Sequence, residues 1–146
     1  MSGQAAVPIP QGRYLPAIRH ADLIYTSGMT PRLNGKLQFT GPVRSGDAVE
    51  LWREAVVLAC RNAVTAAQGL LKPGERIAAA LSMTVFIAAE QGFTAHSALA
   101  DFASAFLLDE IGAGGIGSRA AIGVATLPGN APVEISIIAA AAGRIE

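Results

Sequence analysis

The sequence predicts an α+β fold in which two helices cover one face of a mixed β-sheet. Residues 47–70 and 94–110 each repeat apolar side chains at helical spacing, as amphipathic helices do. Residues 76–88 alternate like a long strand, and neither of its faces is charged. Short β-rich runs bounded by glycine, proline or asparagine are the remaining predicted strands, which gives the element order β-β-β-α-β-α-β-β. One domain accounts for all 146 residues, and residues 1–12 form a flexible N-terminal segment.

Two residues near the first predicted strands, Ser27 and Tyr14, could contact a ligand. Leu23–Ser27 is a compact β-rich run, and its last hydroxyl, before Gly28, should face whatever occupies the strand tips. No His and Asp pair is placed to activate Ser27 as a nucleophile, so a positioning role is expected. Tyr14 is either a packed aromatic or a lid over a site. Asn34-Gly35 predicts a two-residue hairpin turn, followed by a short third strand over residues 36–40.

The first helix should begin at Asp47, whose carboxylate is a suitable N-cap, with Glu50 completing a capping-box pattern. Its buried stripe is rich in alanine, which lets the helix lie close to a sheet. Cys60 falls on that stripe, so we interpret it as a small buried hydrophobe rather than a reactive thiol. A single cysteine forms no internal disulfide.

The second helix should be capped by Thr94. His96 lies in its apolar stripe and is interpreted as a hydrogen-bonded packing residue, with catalysis as the alternative. Three acidic residues form what we interpret as a solvated flank: Asp101, Asp109 and Glu110.

Residues 117–142 predict a β-hairpin with a breaker-rich turn at Leu127–Pro132. In its first strand Arg119 stands among alanine and glycine, which leave a hollow beside a guanidinium that fits a carboxylate. Within such a hairpin, Glu134 would lie about 13 Å from Arg119. The two charges should therefore line one cleft or meet counterparts from a neighbouring subunit, although a structural ion pair is the alternative. The glycine-rich loop 112–117 lacks a Walker motif and should be a flexible segment that shapes the cleft mouth.

Composition restricts the function classes. Hydrophobic residues make up 51% of the chain and charged residues only 15%, a surplus that favours burial between subunits of a homo-oligomer. The net charge is zero, so nucleic acid is not an expected partner. The N-terminus does not resemble a signal peptide and no apolar run predicts a membrane helix, which indicates a cytoplasmic protein. His20 and His96 lack metal-site spacing, so neither a metal nor a cofactor is expected.

Several motifs point to a family. They are Tyr14–Ala17, Leu23–Gly28 with Pro31, Ser118-Arg119, Leu127-Pro128 and Ala131–Ile135. On these motifs the chain resembles the RidA/YjgF/YER057c/UK114 family, formerly labelled endoribonuclease L-PSP, over nearly its full length. The separation of Arg119 and Glu134, 134 − 119 = 15 residues, matches the family spacing. The chain departs from the family at Met29, where many members carry Gln, and at Ala121. Its segment 92–117 is longer than in the plainest deaminases and is closer to that of a YjgF-like side branch.

The resemblance implies a chorismate-mutase-like fold of the bacillus type, assembled as a homotrimer with a central barrel and clefts between subunits. It implies Arg119 and Glu134 as catalytic residues, the first gripping a substrate carboxylate and the second placing water. It also implies that Ser27 helps to place the substrate. We expect further substrate contacts at Tyr14 and at Ala121, which stands where family members often carry Cys or Ser. The implied activity is metal-free hydrolysis of reactive 2-imino or enamine acids to 2-keto acids and ammonia.

Two other functions stay open. The first is a ligand-binding or regulatory trimer that binds small carboxylates in the same cleft without catalysis. Ribonuclease activity, the older family label, is the second, and the neutral charge disfavours it. The sequence does not identify the side chain of the substrate, and it does not show whether the cleft is open or covered by a lid.

Overall fold

The computed structural model describes residues 6–143. Within them the strands are β1 Ala17–His20, β2 Leu23–Thr26, β3 Arg32–Leu33, β4 Lys36–Leu37, β5 Glu75–Ala88, β6 Ser118–Val124 and β7 Val133–Gly143, and the helices are α1 Arg53–Gln68 and α2 His96–Ile111. Five strands form a mixed sheet in the order β1-β2-β7-β5-β6, with both helices packed on it. The predicted α+β class is confirmed. Of the predicted flexible segment 1–12, residues 1–5 lie outside the described part.

The predicted hairpin of the last two strands is wrong. β6 and β7 do not pair with each other, because β5 lies between them. β6 pairs with β5 in parallel, and α2 provides the crossover that a parallel pair requires. β7 runs antiparallel to both β5 and β2. The breaker-rich residues 127–132 therefore carry the chain across β5 instead of turning it back on a neighbour.

The predicted third strand is shorter than expected and lies outside the main sheet. β3 and β4 form a separate two-stranded hairpin. Its turn is Asn34-Gly35, with φ of 54° and 79°, which confirms the predicted turn. The pairing ends at Leu37 and does not reach Thr40.

Both helices begin later than predicted. The segment Val49–Trp52 is a 3-10 turn, and α1 starts only at Arg53. The Asp47 carboxylate does not cap it; it accepts hydrogen bonds from the Arg44 backbone N–H at 2.8 Å and from Trp52 Nε1 at 3.0 Å. α2 starts at His96 with no side-chain cap, so the predicted cap at Thr94 is also wrong. Neither helix within residues 6–143 is long and apolar enough to cross a bilayer.

The core lies between the helices and the sheet, and Cys60 is part of it. Its side chain is fully buried on α1, and its Sγ lies 3.9 Å from the carbonyl oxygen of Ala103 on α2. Burial raises the pKa of the Cys60 thiol to about 12. The interpretation of Cys60 as a small buried residue is confirmed.

The glycine-rich loop after α2 is packed against β5 rather than loose. A Cβ on Gly114 would overlap the carbonyl oxygen of Ala78, and one on Gly117 would overlap that of Ala80. A Cβ on Gly115 would overlap the carbonyl oxygen of Leu107 at the end of α2. These glycines let the loop backbone touch its neighbours directly, which fixes where β6 begins.

The sheet face that the helices leave uncovered is apolar and exposed. Ile18 and Tyr25 are paired across β1 and β2 and are 60% and 39% exposed. Ile122 on β6 is 42% exposed and is paired with the half-buried Phe86. Adjacent apolar side chains of this size on one face mark a surface suited to contact with another protein chain.

Acid is expected to destabilise the protein through one ion pair between β1 and β5. The guanidinium of Arg19 donates to both oxygens of Glu75, at 2.6 Å and 2.9 Å, and both side chains are largely buried. These bonds, with the N–H of Lys72, lower the pKa of Glu75 from 4.5 to about 2. The pair's contribution is therefore complete above pH 4.5 and is lost as the pH falls towards 2.

Urea unfolding of wild type and Glu75→Gln over a series of acidic pH values measures this effect. The variant should be less stable at neutral pH and should lose less stability on acidification. Glu54→Gln, an exposed position on α1, is the matched control and should follow the wild type. An unchanged pH dependence in Glu75→Gln would contradict the assignment.

Candidate functional site

Arg119 lies in the wall of a cleft between β6, α2 and the glycine-rich loop. It is paired with Met83 of β5, and Met83 is buried, so the guanidinium points to the helix side of the sheet. The cleft has a volume of about 320 Å³ and is lined by Ala80, Met83, Asp101, Ser104, Leu107 and residues 115–119. The loop therefore does shape this cleft, as the sequence predicts.

The guanidinium of Arg119 is held by three side chains of α2. Nη1 donates to Oδ1 of Asp101 at 2.7 Å and to Oγ of Ser104 at 3.0 Å. Nη2 donates to Oγ of Ser97 at 2.8 Å. The Arg119 side chain is 22% exposed, whereas that of Asp101 is 68% exposed. The arginine is thus fixed in place, and its ion-pair partner is free to rotate into solvent.

This arrangement corrects the prediction for the second helix. Asp101 is exposed, as a solvated flank requires, but it also forms an ion pair with Arg119. Ser97, Asp101 and Ser104 follow one another at i, i+4 and i+7, so α2 presents a polar stripe to β6. The hollow that alanine and glycine were expected to leave is partly filled by this stripe. The helical spacing of these residues is the one signal in the sequence, and it indicates a contact only when the opposing strand is known.

The ion pair leaves hydrogen-bonding capacity unused. Among residues 6–143, Nε of Arg119 and Oδ2 of Asp101 have no hydrogen-bond partner. A single N–H to oxygen contact joins the two groups, unlike the double contact between Arg19 and Glu75. An arginine held by one carboxylate oxygen can still donate a hydrogen bond to a further carboxylate.

Glu134 lies on the opposite side of the sheet. On β7 it is paired with Phe86, whose neighbour on β6 is the exposed Ile122. Its half-buried carboxylate accepts no hydrogen bond from residues 6–143, and burial raises its pKa. A Cβ on Gly28 would overlap this carboxylate, so glycine gives it space. Arg119 and Glu134 of one chain therefore do not face one cleft, and the two do not form an ion pair.

The other predicted site residues divide between the two regions. Ser27 lies next to Gly28 and donates through its hydroxyl to the carbonyl oxygen of Leu15 at 2.6 Å. Tyr14 is 44% exposed and, like Gly28, lines a second cavity of about 190 Å³ beside α1. Ala121 lies on β6 on the same face as Arg119 and packs against the core. Thus Ser27 lies on the Glu134 side, and Ala121 on the Arg119 side.

Neither histidine lines the Arg119 cleft. His96 packs edge-on against Phe93, with ring centroids 5.0 Å apart, and its Nε2 abuts Gly123. The predicted packing of His96 is confirmed, but the predicted hydrogen bond is not, since the ring makes none within residues 6–143. His20 is exposed at the end of β1. No three metal-ligating side chains come together in the described part of the chain.

Comparisons with known proteins agree with this architecture. Atu1372 from Agrobacterium tumefaciens, a protein of unknown function, is 30% identical, with 88% of this chain and 81% of that chain covered and a TM-score of 0.77. A candidate endoribonuclease from Shewanella oneidensis is 26% identical, with 94% and 91% covered and a TM-score of 0.83. TdcF of E. coli with bound serine, at 23% identity, 94% and 93% coverage and a TM-score of 0.61, shares the fold.

The sequence comparisons give the family. Curated protein sequences yield no match. The profile of the family described as endoribonuclease L-PSP, by contrast, matches residues 4–141, which is nearly the whole chain. The predicted resemblance is confirmed: the chain belongs to the endoribonuclease L-PSP (RidA/YjgF) family.

Proposed function

We propose that the protein binds a small carboxylate-bearing molecule at Arg119 and hydrolyses 2-imino or enamine acids to 2-keto acids and ammonia. The observation that carries this proposal is the guanidinium of Arg119, held by Ser97 and Ser104 in the wall of an open cleft. Membership of the RidA/YjgF family supports it. TdcF, which shares the fold, was solved with serine, a small carboxylate.

The reaction requires little chemical activation by the protein. A protonated imine is already electrophilic at the carbon next to the carboxylate, so water adds to it without strong activation. The water oxygen bonds to that carbon, one water proton passes to a base, and the electron pair of the double bond moves to nitrogen. Proton return to nitrogen lets the carbon–nitrogen bond break, with its electron pair leaving on nitrogen as ammonia. The new hydroxyl group loses its proton to form the carbonyl of the keto acid, and that proton converts ammonia to ammonium. The protein has to fix the carboxylate and place one water.

Glu134 is the proposed base, and it acts from a neighbouring subunit. Within one chain it lies on the opposite side of the sheet from Arg119, so one chain does not bring both to one substrate. The exposed apolar face around Ile18, Tyr25 and Ile122 supports a homo-oligomer, and a trimer is the assembly we propose. Ser27, which precedes Gly28 on the Glu134 side, and Tyr14 would then contact substrate.

The proposal is tested by ammonia release from 2-iminopropionate generated in the assay by an amino-acid oxidase. The purified wild-type protein should accelerate release above the spontaneous rate, and light scattering should give the mass of a trimer. A monomer, or a rate equal to the spontaneous one, would overturn the proposal.

Glu134→Gln should lower turnover and should abolish the decline of kcat that the wild type shows at acidic pH. Because burial raises the pKa of Glu134, the carboxylate form that accepts a proton is lost at a higher pH than for an ordinary glutamate. Wild-type kcat should therefore decline as the pH falls through this raised pKa. Glu110→Gln, exposed on α2, is the control and should keep the wild-type profile. A decline that persists in Glu134→Gln would remove this residue from the mechanism.

A second candidate is a carboxylate-binding protein without turnover. It is favoured by the ion pair of Arg119 with Asp101, which occupies part of the guanidinium before any ligand arrives. Calorimetric binding of small carboxylates, together with no turnover of any imino acid, would select this candidate over the deaminase.

A further inference from the structure

Arg119 and Asp101 together form a pair of opposite charges at the mouth of the cleft. Both residues line it, and their charged groups are in contact at 2.7 Å. Ser97 and Ser104 hold the guanidinium independently of the aspartate. The carboxylate of Asp101 keeps one oxygen unused among residues 6–143 and is largely in solvent. The cation is therefore the fixed member of the pair, and the anion is the movable one.

Such a pair discriminates between two kinds of small acid. A simple anion bound at Arg119 would bring a second carboxylate close to that of Asp101, and like charges at contact distance repel. A zwitterion carries its own cation on the carbon next to its carboxylate. Its carboxylate can face Arg119 while its nitrogen faces Asp101, so that each charge meets its opposite.

We propose that Asp101 determines specificity by accepting hydrogen bonds from the positively charged nitrogen of a 2-amino or 2-imino acid whose carboxylate is bound by Arg119. This inference rests on the proposed function, because it requires carboxylate binding at Arg119. The geometry needs only a rotation of the exposed Asp101 side chain, with the guanidinium staying where the two serines hold it. In the reaction, the same carboxylate faces the nitrogen as it becomes the ammonium leaving group.

The alternative role of Asp101 is that of a counter-ion that the ligand simply displaces. A counter-ion competes equally with every carboxylate. Removing its charge would then tighten the binding of zwitterions and simple anions by the same factor. The two roles therefore differ in the ratio of two affinities, which overall stability or folding does not affect.

The experiment compares L-alanine with L-lactate, which share a carbon skeleton and differ in carrying an ammonium or a hydroxyl group. Calorimetry on the wild-type protein should show tighter binding of L-alanine, by at least about tenfold. Asp101→Asn should remove this preference, with weaker binding of L-alanine and equal or tighter binding of L-lactate. Asp101→Glu, which keeps the charge, should retain a preference for L-alanine. Asp109→Asn, exposed on the same helix, should behave like the wild type.

The outcomes separate this inference from the proposed function. If Asp101→Asn changes both affinities by the same factor, Asp101 is only a counter-ion and the inference is wrong, while carboxylate binding stands. If neither acid binds the wild type, or if binding survives in Arg119→Ala, the proposed site is wrong and the inference falls with it. Circular dichroism of each variant confirms that the fold is retained.

Discussion

Replacing Arg119 with alanine is expected to abolish carboxylate binding and ammonia release while leaving the fold intact. Hydrogen bonds between charged groups contribute about 1.5–3 kcal/mol each. Loss of a two-bond contact with a ligand carboxylate should therefore weaken binding by about 100-fold or more. The fold loses little, because the partner Asp101 is already 68% exposed and partly exposed ion pairs contribute about 1 kcal/mol or less. Calorimetry and urea unfolding measure the two effects separately.

Arg44→Ala is the matched control for this experiment. Arg44 also forms an ion pair with one carboxylate, that of Glu90 at 3.3 Å, but it lies outside the Arg119 cleft. Its loss should change neither binding nor turnover. Arg119→Lys should restore the charge but not the planar fork, so affinity should recover only in part. Undiminished turnover in Arg119→Ala would overturn the proposed function.

The largest loss of stability is expected from Gly117→Ala. The added methyl group would overlap the carbonyl oxygen of Ala80 and lie 2.7 Å from that of Leu81, both in the central strand β5. Those oxygens cannot retreat easily, because β5 is hydrogen-bonded to β6 on one side and β7 on the other. The free energy of unfolding should fall by about 3 kcal/mol or more.

Gly46→Ala provides the comparison, since a Cβ there would meet nothing within 4 Å. Its unfolding free energy should stay within about 0.5 kcal/mol of the wild type. Urea denaturation of both variants under the same conditions gives the difference. Equal stability of Gly117→Ala and Gly46→Ala would mean that the loop can lift away from β5, and that it does not fix the cleft.

The elements that could be predicted from the sequence are those with local signals. α1, α2 and β5 repeat apolar residues at their own periods. The predicted bounds of α2 and β5 lie within two residues of the observed ones, whereas α1 begins six residues later than predicted. The starts of the helices were misplaced because Asp47 and Thr94 look like caps in sequence. Asp47 instead bonds to Arg44 and Trp52, which depends on how the preceding loop folds.

The pairing of β6 and β7 could not be predicted, because strand partners depend on residues far apart in the chain. The glycine and prolines at residues 127–132 are compatible both with a hairpin turn and with a connection that passes over a strand. The position of β5 between β6 and β7 shows that the connection passes over a strand. That error matters for function. The predicted hairpin lets Arg119 and Glu134 line one cleft, whereas the observed register places them on opposite faces of the sheet.

The partner of Arg119 was missed for a related reason. Asp101 was grouped with Asp109 and Glu110 as solvated charge, which its exposure alone supports. Its ion pair requires knowing that α2 crosses β6 at this arginine. Ser97 and Ser104 share its helical spacing, but a polar stripe indicates a contact only once the opposing strand is known.

The buried position of Cys60 supplies a built-in reporter for the stability experiments. The chain has no other thiol, and a pKa of about 12 leaves almost none of this one as the reactive thiolate at neutral pH. A disulfide reagent should modify it only when α1 and α2 separate. The labelling rate under native conditions then reads out the opening equilibrium of the helical layer, without denaturant and without an added probe.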